Sequence, residues 1–294
     1  MQANPVPISR TAGVWHHAVT RCMKVLLPAA AVLSMNAMAA ITEFSATGIN
    51  PSDITAKRDD FRSAIGGGVT PGANGDFGGV RREINWDGVP AAFSDPALLP
   101  GNFFNANSPR GAVFSTTGTG FLVSANSGGS TPTVFGFPGD LQPFSAQKLF
   151  GVVGSRTMDI QFFIPGTNTA ATTSAFGAIF VDVENNDPPG GDFTSMKFFD
   201  QNNVEIFSST VLATNTTKSL SFLGGVANAG ERIARVTITT PNNFLLSNGV
   251  RSNELNDFVI MDDFIYATPV PEPEIWAMVL LGLGVVGWRS RKRA

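Results

Sequence analysis

Asp257-Phe258-Val259-Ile260-Met261-Asp262-Asp263-Phe264-Ile265-Tyr266 is the stretch that decides the fold. Its Phe, Val and Ile content marks a β-strand, and it closes a series of short runs of the same kind. Working back along the chain, these are Ile233 to Thr240, Ser219 to Leu223, Val204 to Leu212, Ser195 to Phe199, Phe176 to Glu184, Met158 to Ile164, Gly120 to Ser124 and Ala112 to Ser115. Gly, Asn, Asp and Pro clusters separate them, so they read as antiparallel strands. In Arg232 to Thr239 the alternation is clean: Ile233, Arg235, Thr237 and Thr239 share one face, and Ala234, Val236 and Ile238 the other. Such a strand is half buried. The expected architecture is all-β, an antiparallel β-sandwich. Two adjacent aspartates within the closing strand are unfavourable by propensity and by self-repulsion, so a cation, an arginine or solvent has to compensate them.

A terminal strand with Asp-Asp followed by an apolar pair resembles the last strand of jelly-roll domains in the carbohydrate-binding and galactose-binding-like groups. The resemblance implies a jelly-roll-like sandwich and a structural calcium ion held in part by Asp262 and Asp263. A second acidic group, Asp182, Glu184, Asp187 and Asp192, flanks Pro188-Pro189-Gly190-Gly191. Asp182 and Glu184, two apart on an expected strand, project from one face. Hard oxygen ligands on a loop suit calcium better than a transition metal. The alternative at both places is a solvated acidic rim.

Upstream of the strands, Asp53 to Ile65 reads as one short N-terminal helix, with Asp53 as its cap and Gly66-Gly67-Gly68 as its stop. The glycine-rich stretch Gly66 to Gly79 reads as a surface loop, with phosphate binding as a weaker alternative. Phenylalanine occurs 24 times against a single tyrosine, Tyr266, which suits a core between two sheets without hydroxyls that need partners. Trp86 has two readings, a ligand-stacking residue or a packed anchor.

Both ends of the chain have the character of addresses. Lys24, the apolar run Val25 to Leu33 and Ala37-Met38-Ala39-Ala40 read as a signal peptide that is cleaved to start the mature chain at Ala40 or Ile41, with Met23 as an alternative start. At the other end stand Pro271-Glu272-Pro273, an uncharged apolar run from Ile275 to Trp288, and Arg289-Ser290-Arg291-Lys292-Arg293. The run would span about 21 Å as a helix, short of a hydrocarbon core of about 30 Å. An interfacial Trp288 and a basic cluster that resists translocation nevertheless mark it as a transmembrane anchor. This tripartite tail is similar to the PEP-CTERM sorting signal of Gram-negative bacteria. The resemblance implies that a membrane-embedded exosortase, a cysteine protease, recognises Pro271, Glu272 and Pro273 and cuts near them. The expected domains are therefore 1–40, leader and signal peptide; 41–268, extracytoplasmic sandwich; and 269–294, sorting signal.

Between the two ends the domain carries 13 Lys and Arg against 21 Asp and Glu, a net charge of about −8. A surface of that sign repels phosphate backbones, so no nucleic-acid partner is expected. Both histidines, His16 and His17, and the only cysteine, Cys22, fall in the leader. Without imidazole or thiol the mature domain can hold no Ser-His-Asp triad, cysteine nucleophile, thiolate or histidine zinc site, or disulfide. The leading expectation is a non-enzymatic protein with a structural or adhesive role in a polysaccharide matrix. It would be periplasmic and anchored in the inner membrane transiently, then on the cell surface or secreted, with exosortase and extracellular polysaccharide as partners. A carbohydrate-binding module is the alternative, followed by a glycoside hydrolase or lyase working with two carboxylates. No cofactor is required beyond the structural calcium.

Overall fold

In the computed structural model of the chain, Ile260–Ala267 forms a strand buried along its whole length. The structure describes residues 41–125, 133–184, 193–214, 216–241, 243–246, 251–252 and 257–271. In chain order, β1 is Ile41–Gly48, α1 Pro51–Ile65, β2 Asp76–Phe77, β3 Arg81–Ile84 and α2 Phe103–Ala106. Next come β4 Ala112–Thr116, β5 Gly120–Val123, β6 Phe150–Val153, β7 Thr157–Phe163, β8 Ala170–Thr172 and β9 Ala175–Val181. The last six are β10 Ser195–Phe199, β11 Glu205–Thr210, β12 Leu220–Ala227, β13 Arg235–Thr239, β14 Ile260–Ala267 and β15 Val270–Pro271.

These strands make two antiparallel sheets. The first runs β1-β12-β9-β14-β3-β2, with β6 joining β14 and β5 joining β6; the second runs β11-β10-β13-β7-β8-β15, with β4 also on β7. Phe150, Phe176, Phe180, Leu223, Phe264 and Tyr266 of the first sheet meet Phe114, Ile160, Phe162, Phe198, Val236 and Ile238 of the second in one buried cluster. The all-β expectation therefore holds. The second sheet has the half-buried pattern read from its sequence, since β7, β10 and β13 each alternate buried and partly exposed residues. The first sheet differs: β9 and β14 are buried at every position. Its outer face is covered by α1 and by loops, which form a second apolar cluster with Ile179, Leu220, Phe222 and Ile265.

The key contact beneath the helix is Phe61. Gly177 of β9 and Gly224 of β12 are directly paired across the sheet, and a Cβ built on either would come within 2.9 Å of the Phe61 ring. The two glycines thus form a hollow that the ring fills, flanked by Phe222 and Phe44 with ring centroids 5.4 and 5.6 Å away. At the start of α1 the structure corrects the cap assignment. Asn50 is the N-cap and Pro51 opens the helix, while Asp53 sits at the third position. Its carboxylate accepts from the amides of Ile49 and Asn50 at 2.9 and 2.8 Å, as the acidic half of a capping box does.

Other expectations move by a few residues. β13 starts at Arg235, and Ile233 instead forms an isolated bridge to Thr173 that buries it in the inter-sheet core. β9 ends at Val181. The strands β1, β2, β3, β6, β8 and β15 go beyond the sequence expectation; β1 is an edge strand on β12 whose exposed and partly exposed residues give it no strong apolar alternation.

Phe61→Ala empties the hollow and is expected to lower unfolding free energy by about 3–5 kcal/mol, read by urea denaturation. Gly224→Ala should destabilise as well, through overpacking against the same ring.

Candidate functional site

Asp262 and Asp263 sit on a β-bulge. Opposite β9, Met261 pairs with Phe180 and Phe264 with Ala178, so two residues of β14 face one of β9. At the same point β14 changes its other neighbour from β6, at Met261, to β3, at Phe264. The extra residue resets the alternation, so that Met261, Phe264 and Tyr266 all point into the inter-sheet core. It also brings both carboxyls to Ser145, whose hydroxyl donates to Asp263 at 2.8 Å and to Asp262 at 3.2 Å. The amides of Phe144 and Ser145 donate to Asp262 at 2.6 and 3.2 Å. Burial pushes the Asp262 carboxyl well up, and the charge of Asp263 adds to the shift. Burial also raises Asp263. Hydrogen bonds from residues 144 and 145, in surroundings that favour the uncharged form of each carboxyl, thus do the compensating that the sequence demanded.

Asp263 and Ser145 open onto a cavity of about 340 Å³ that is also lined by Arg58, Arg62, Glu83 and Arg110. Larger space adjoins it, about 680 Å³ between α1 and the glycine-rich loop, sharing Arg62, Pro71 and Phe77. On the other side a space of about 240 Å³, reaching Phe103, Asn107 and Ser108, shares Asn85 and Arg110. Together they form a groove across the helix-covered end of the first sheet.

Its walls are held by arginines. Buried Arg81 donates to the carbonyls of Gly66 and Gly68 and, at 2.7 Å, to Glu83. Gly66, Gly67 and Gly68 all have φ between +72° and +94°, which lets the loop turn carbonyls toward the guanidinium. Acceptors facing a cation are the opposite of a phosphate cradle, and the glycine-rich segment is a wall of the groove. Arg62 donates to the other Glu83 oxygen at 2.6 Å and to Asp59 at 3.1 Å. Each Glu83 oxygen therefore has a guanidinium partner.

Arg110 stands apart. Its guanidinium donates to the Glu83 carbonyl and to Ser108 Oγ at 3.3 Å, lies 5.1 Å over the Phe104 ring, and meets no carboxylate among the described residues. Burial pulls its pKa down. Sequence reasoning missed Arg58, Arg62, Glu83 and Arg110 as a group because they come from a helix, a strand and a loop with no shared local motif.

Trp86 takes the packed alternative. It is 1 % exposed, stacks on Phe150 with centroids 4.0 Å apart and planes 1° from parallel, and donates its indole N–H to the Asp262 carbonyl at 2.8 Å. Asp182 lies beyond the end of β9 with φ +67°, so the alternation that would have put it on one face with Glu184 does not apply. Its carboxylate accepts from the Lys218 amide at 2.9 Å. Among the described residues no three His, Cys, Asp or Glu side chains gather as a metal would need. The oxygens of Asp262 already accept protein donors, which does not fit the six to eight ligands of calcium. Asp187 and Asp192, residues 1–40, and Glu272, Pro273, Ile275, Trp288, Arg289, Arg291, Lys292 and Arg293 lie outside the described residues. No helix of the described residues is long and apolar enough to cross a membrane.

In this all-β sandwich only Thr268, Pro269 and Val270 separate the last core strand, which ends at Ala267, from Pro271-Glu272-Pro273. A family model of the PEP-CTERM protein-sorting motif matches residues 269–293, which bears out the resemblance read from the tail. The motif indicates an exosortase-targeted surface protein that is exported and membrane-anchored before cleavage. No curated protein matches the chain.

Burial raises the Asp182 carboxyl to about 7; the Lys218 amide opposes the shift, the charges of Glu184 and Asp140 add to it, and Arg251 counters them. Between about pH 4, where an unfolded Asp titrates, and pH 7 the folded state keeps a proton that the unfolded chain has released. This contribution to stability is whole below about pH 4 and is lost as pH rises through 7. Asp182→Asn retains the acceptor for Lys218 and tolerates the left-handed backbone. The variant should match the native protein near pH 4 and exceed it at pH 8 in thermal unfolding.

Proposed function

We propose that this exosortase-sorted protein is non-enzymatic and works in the extracellular matrix by holding a polysaccharide in the groove beneath α1, with a structural or adhesive result. The observation that carries the ligand class is Arg110, a guanidinium positioned by backbone, hydroxyl and ring contacts but matched by no carboxylate among the described residues. A sugar carboxylate would supply the missing charge, and Asn85, Ser145 and Asp263 offer partners for hydroxyls in the same cavity. The net charge of about −8 disfavours a dense polyanion, so the fitting ligand is a chain of uronic-acid type with spaced charges. This combines the matrix role with the carbohydrate-binding alternative and with the jelly-roll-like resemblance of β14.

Hydrolysis is the weaker reading although Glu83 and Asp263 line one cavity. A general base or nucleophile needs a free carboxylate. Each oxygen of Glu83 is paired with Arg62 or Arg81, and Asp263 accepts from Ser145 beside the buried Asp262.

The test compares a partly methyl-esterified oligogalacturonide, whose free carboxylates are spaced along the chain, with its fully methyl-esterified counterpart, which keeps the shape and removes the charge. The purified protein should bind the acid about tenfold or more tightly, the worth of one charge-assisted hydrogen bond. Arg110→Gln should abolish the difference, with thermal unfolding recorded to confirm that the variant is folded. Equal binding of acid and ester, or binding of neither, removes the proposal.

A further inference from the structure

The sorting signal does not begin after the domain; it begins inside it. β14 belongs to the first sheet and ends at Ala267. After Thr268, whose amide donates to the Val80 carbonyl at 2.7 Å, and Pro269, the chain crosses to the second sheet and forms β15 on the edge of β8. Val270 lies opposite Thr172 and Pro271 opposite Ala171. Pro269 packs against Gly111, where a Cβ would come 3.2 Å from its ring and where φ is +78°. The matched sorting segment starts at Pro269, so its first three residues are part of the fold, including the first proline of Pro-Glu-Pro.

A protease takes its substrate as an extended segment reached from several sides. With Pro271 seated on β8, the body of the sandwich stands directly beside the recognition element. Releasing residues 268–271 would free four residues, about 13 Å of extended chain, enough to carry the motif clear of the sheet edge. The contact is built to yield. It has two residue pairs, Pro271 brings no N–H to the ladder, and both Val270 and Pro271 are exposed. Resting on the reading that an exosortase processes this tail, we infer that the β8 edge of the second sheet is a docking surface for the start of the sorting segment, and that cleavage requires β15 to leave it. The occupant is residues 269–271 of this same chain. The fold thereby sets the rate at which the membrane-anchored precursor is handed on.

The described domain contains no cysteine, which allows a direct test in the full precursor co-expressed with its exosortase. The double variant Thr172→Cys with Val270→Cys puts thiols on directly opposed residues, where the periplasmic thiol oxidases can join them. The joined precursor should accumulate uncleaved, with processing slowed at least about tenfold, and a reductant added to the cells should restore it. Each single variant should be processed as the native protein is. Cleavage of the joined form at the native rate overturns the inference. So does failure of the thiols to join while both single variants are exported, because opposed residues of a formed β15 lie within disulfide reach. A native tail that is never cleaved, even with the exosortase present, would instead count against the sorting reading.

Discussion

The bulge at Asp262 and Asp263 is the constraint on which the rest depends. A regular strand would have turned Phe264 and Tyr266 away from the inter-sheet core; the extra residue turns them into it. The same irregularity lets β14 serve β6 on one half and β3 on the other, which fixes where the groove-bearing loops leave the sheet. Two buried carboxyls are the cost of this geometry. Amides and a hydroxyl from residues 144 and 145 and the indole of Trp86 on the Asp262 carbonyl serve the polar groups at the bulge.

The groove follows from the same end of the sheet. Arg81, which forms the last pair of β3 with β14 at Ala267, ties the glycine-rich loop to the sheet, while Arg62 ties α1 to Glu83. These ion pairs are largely shielded from water, so their geometry is fixed more firmly than that of surface pairs such as Lys57 with Asp60. Arg110 is then fixed by one bond to the Glu83 carbonyl, one to Ser108 and the Phe104 ring without its charge being neutralised, the condition under which a guanidinium is useful to an anionic ligand.

Legibility varied with the range of the interaction. The half-buried strands of the second sheet were readable because their alternation is local, as in Val236 and Ile238 against Thr237 and Thr239. The doubly buried strands β9 and β12 could be recognised as strands, but not as partners of a helix. The hollow for Phe61 needs Gly177 and Gly224 side by side, and these lie far apart in the chain. Asp182 and Glu184 misled for a related reason: period-two reasoning assumes that the strand continues, and β9 ends at Val181. The tail was the clearest signal of all, since an address must be read in unfolded chain and so is written in consecutive residues.

Composition and local pattern by themselves determined that the chain is all-β and that its closing strand carries an acidic pair in need of compensation, and the resemblance of its tail to the PEP-CTERM signal, matched by the family model, pointed to exosortase. Only the tertiary structure decided what compensates the pair, that Trp86 is core, that four separated charged residues face one groove, and that Pro271 is paired to β8. The division is physical. Propensity, periodicity and sorting motifs act over a few neighbouring residues, whereas desolvation, charge pairing and strand register depend on which distant residues are brought together.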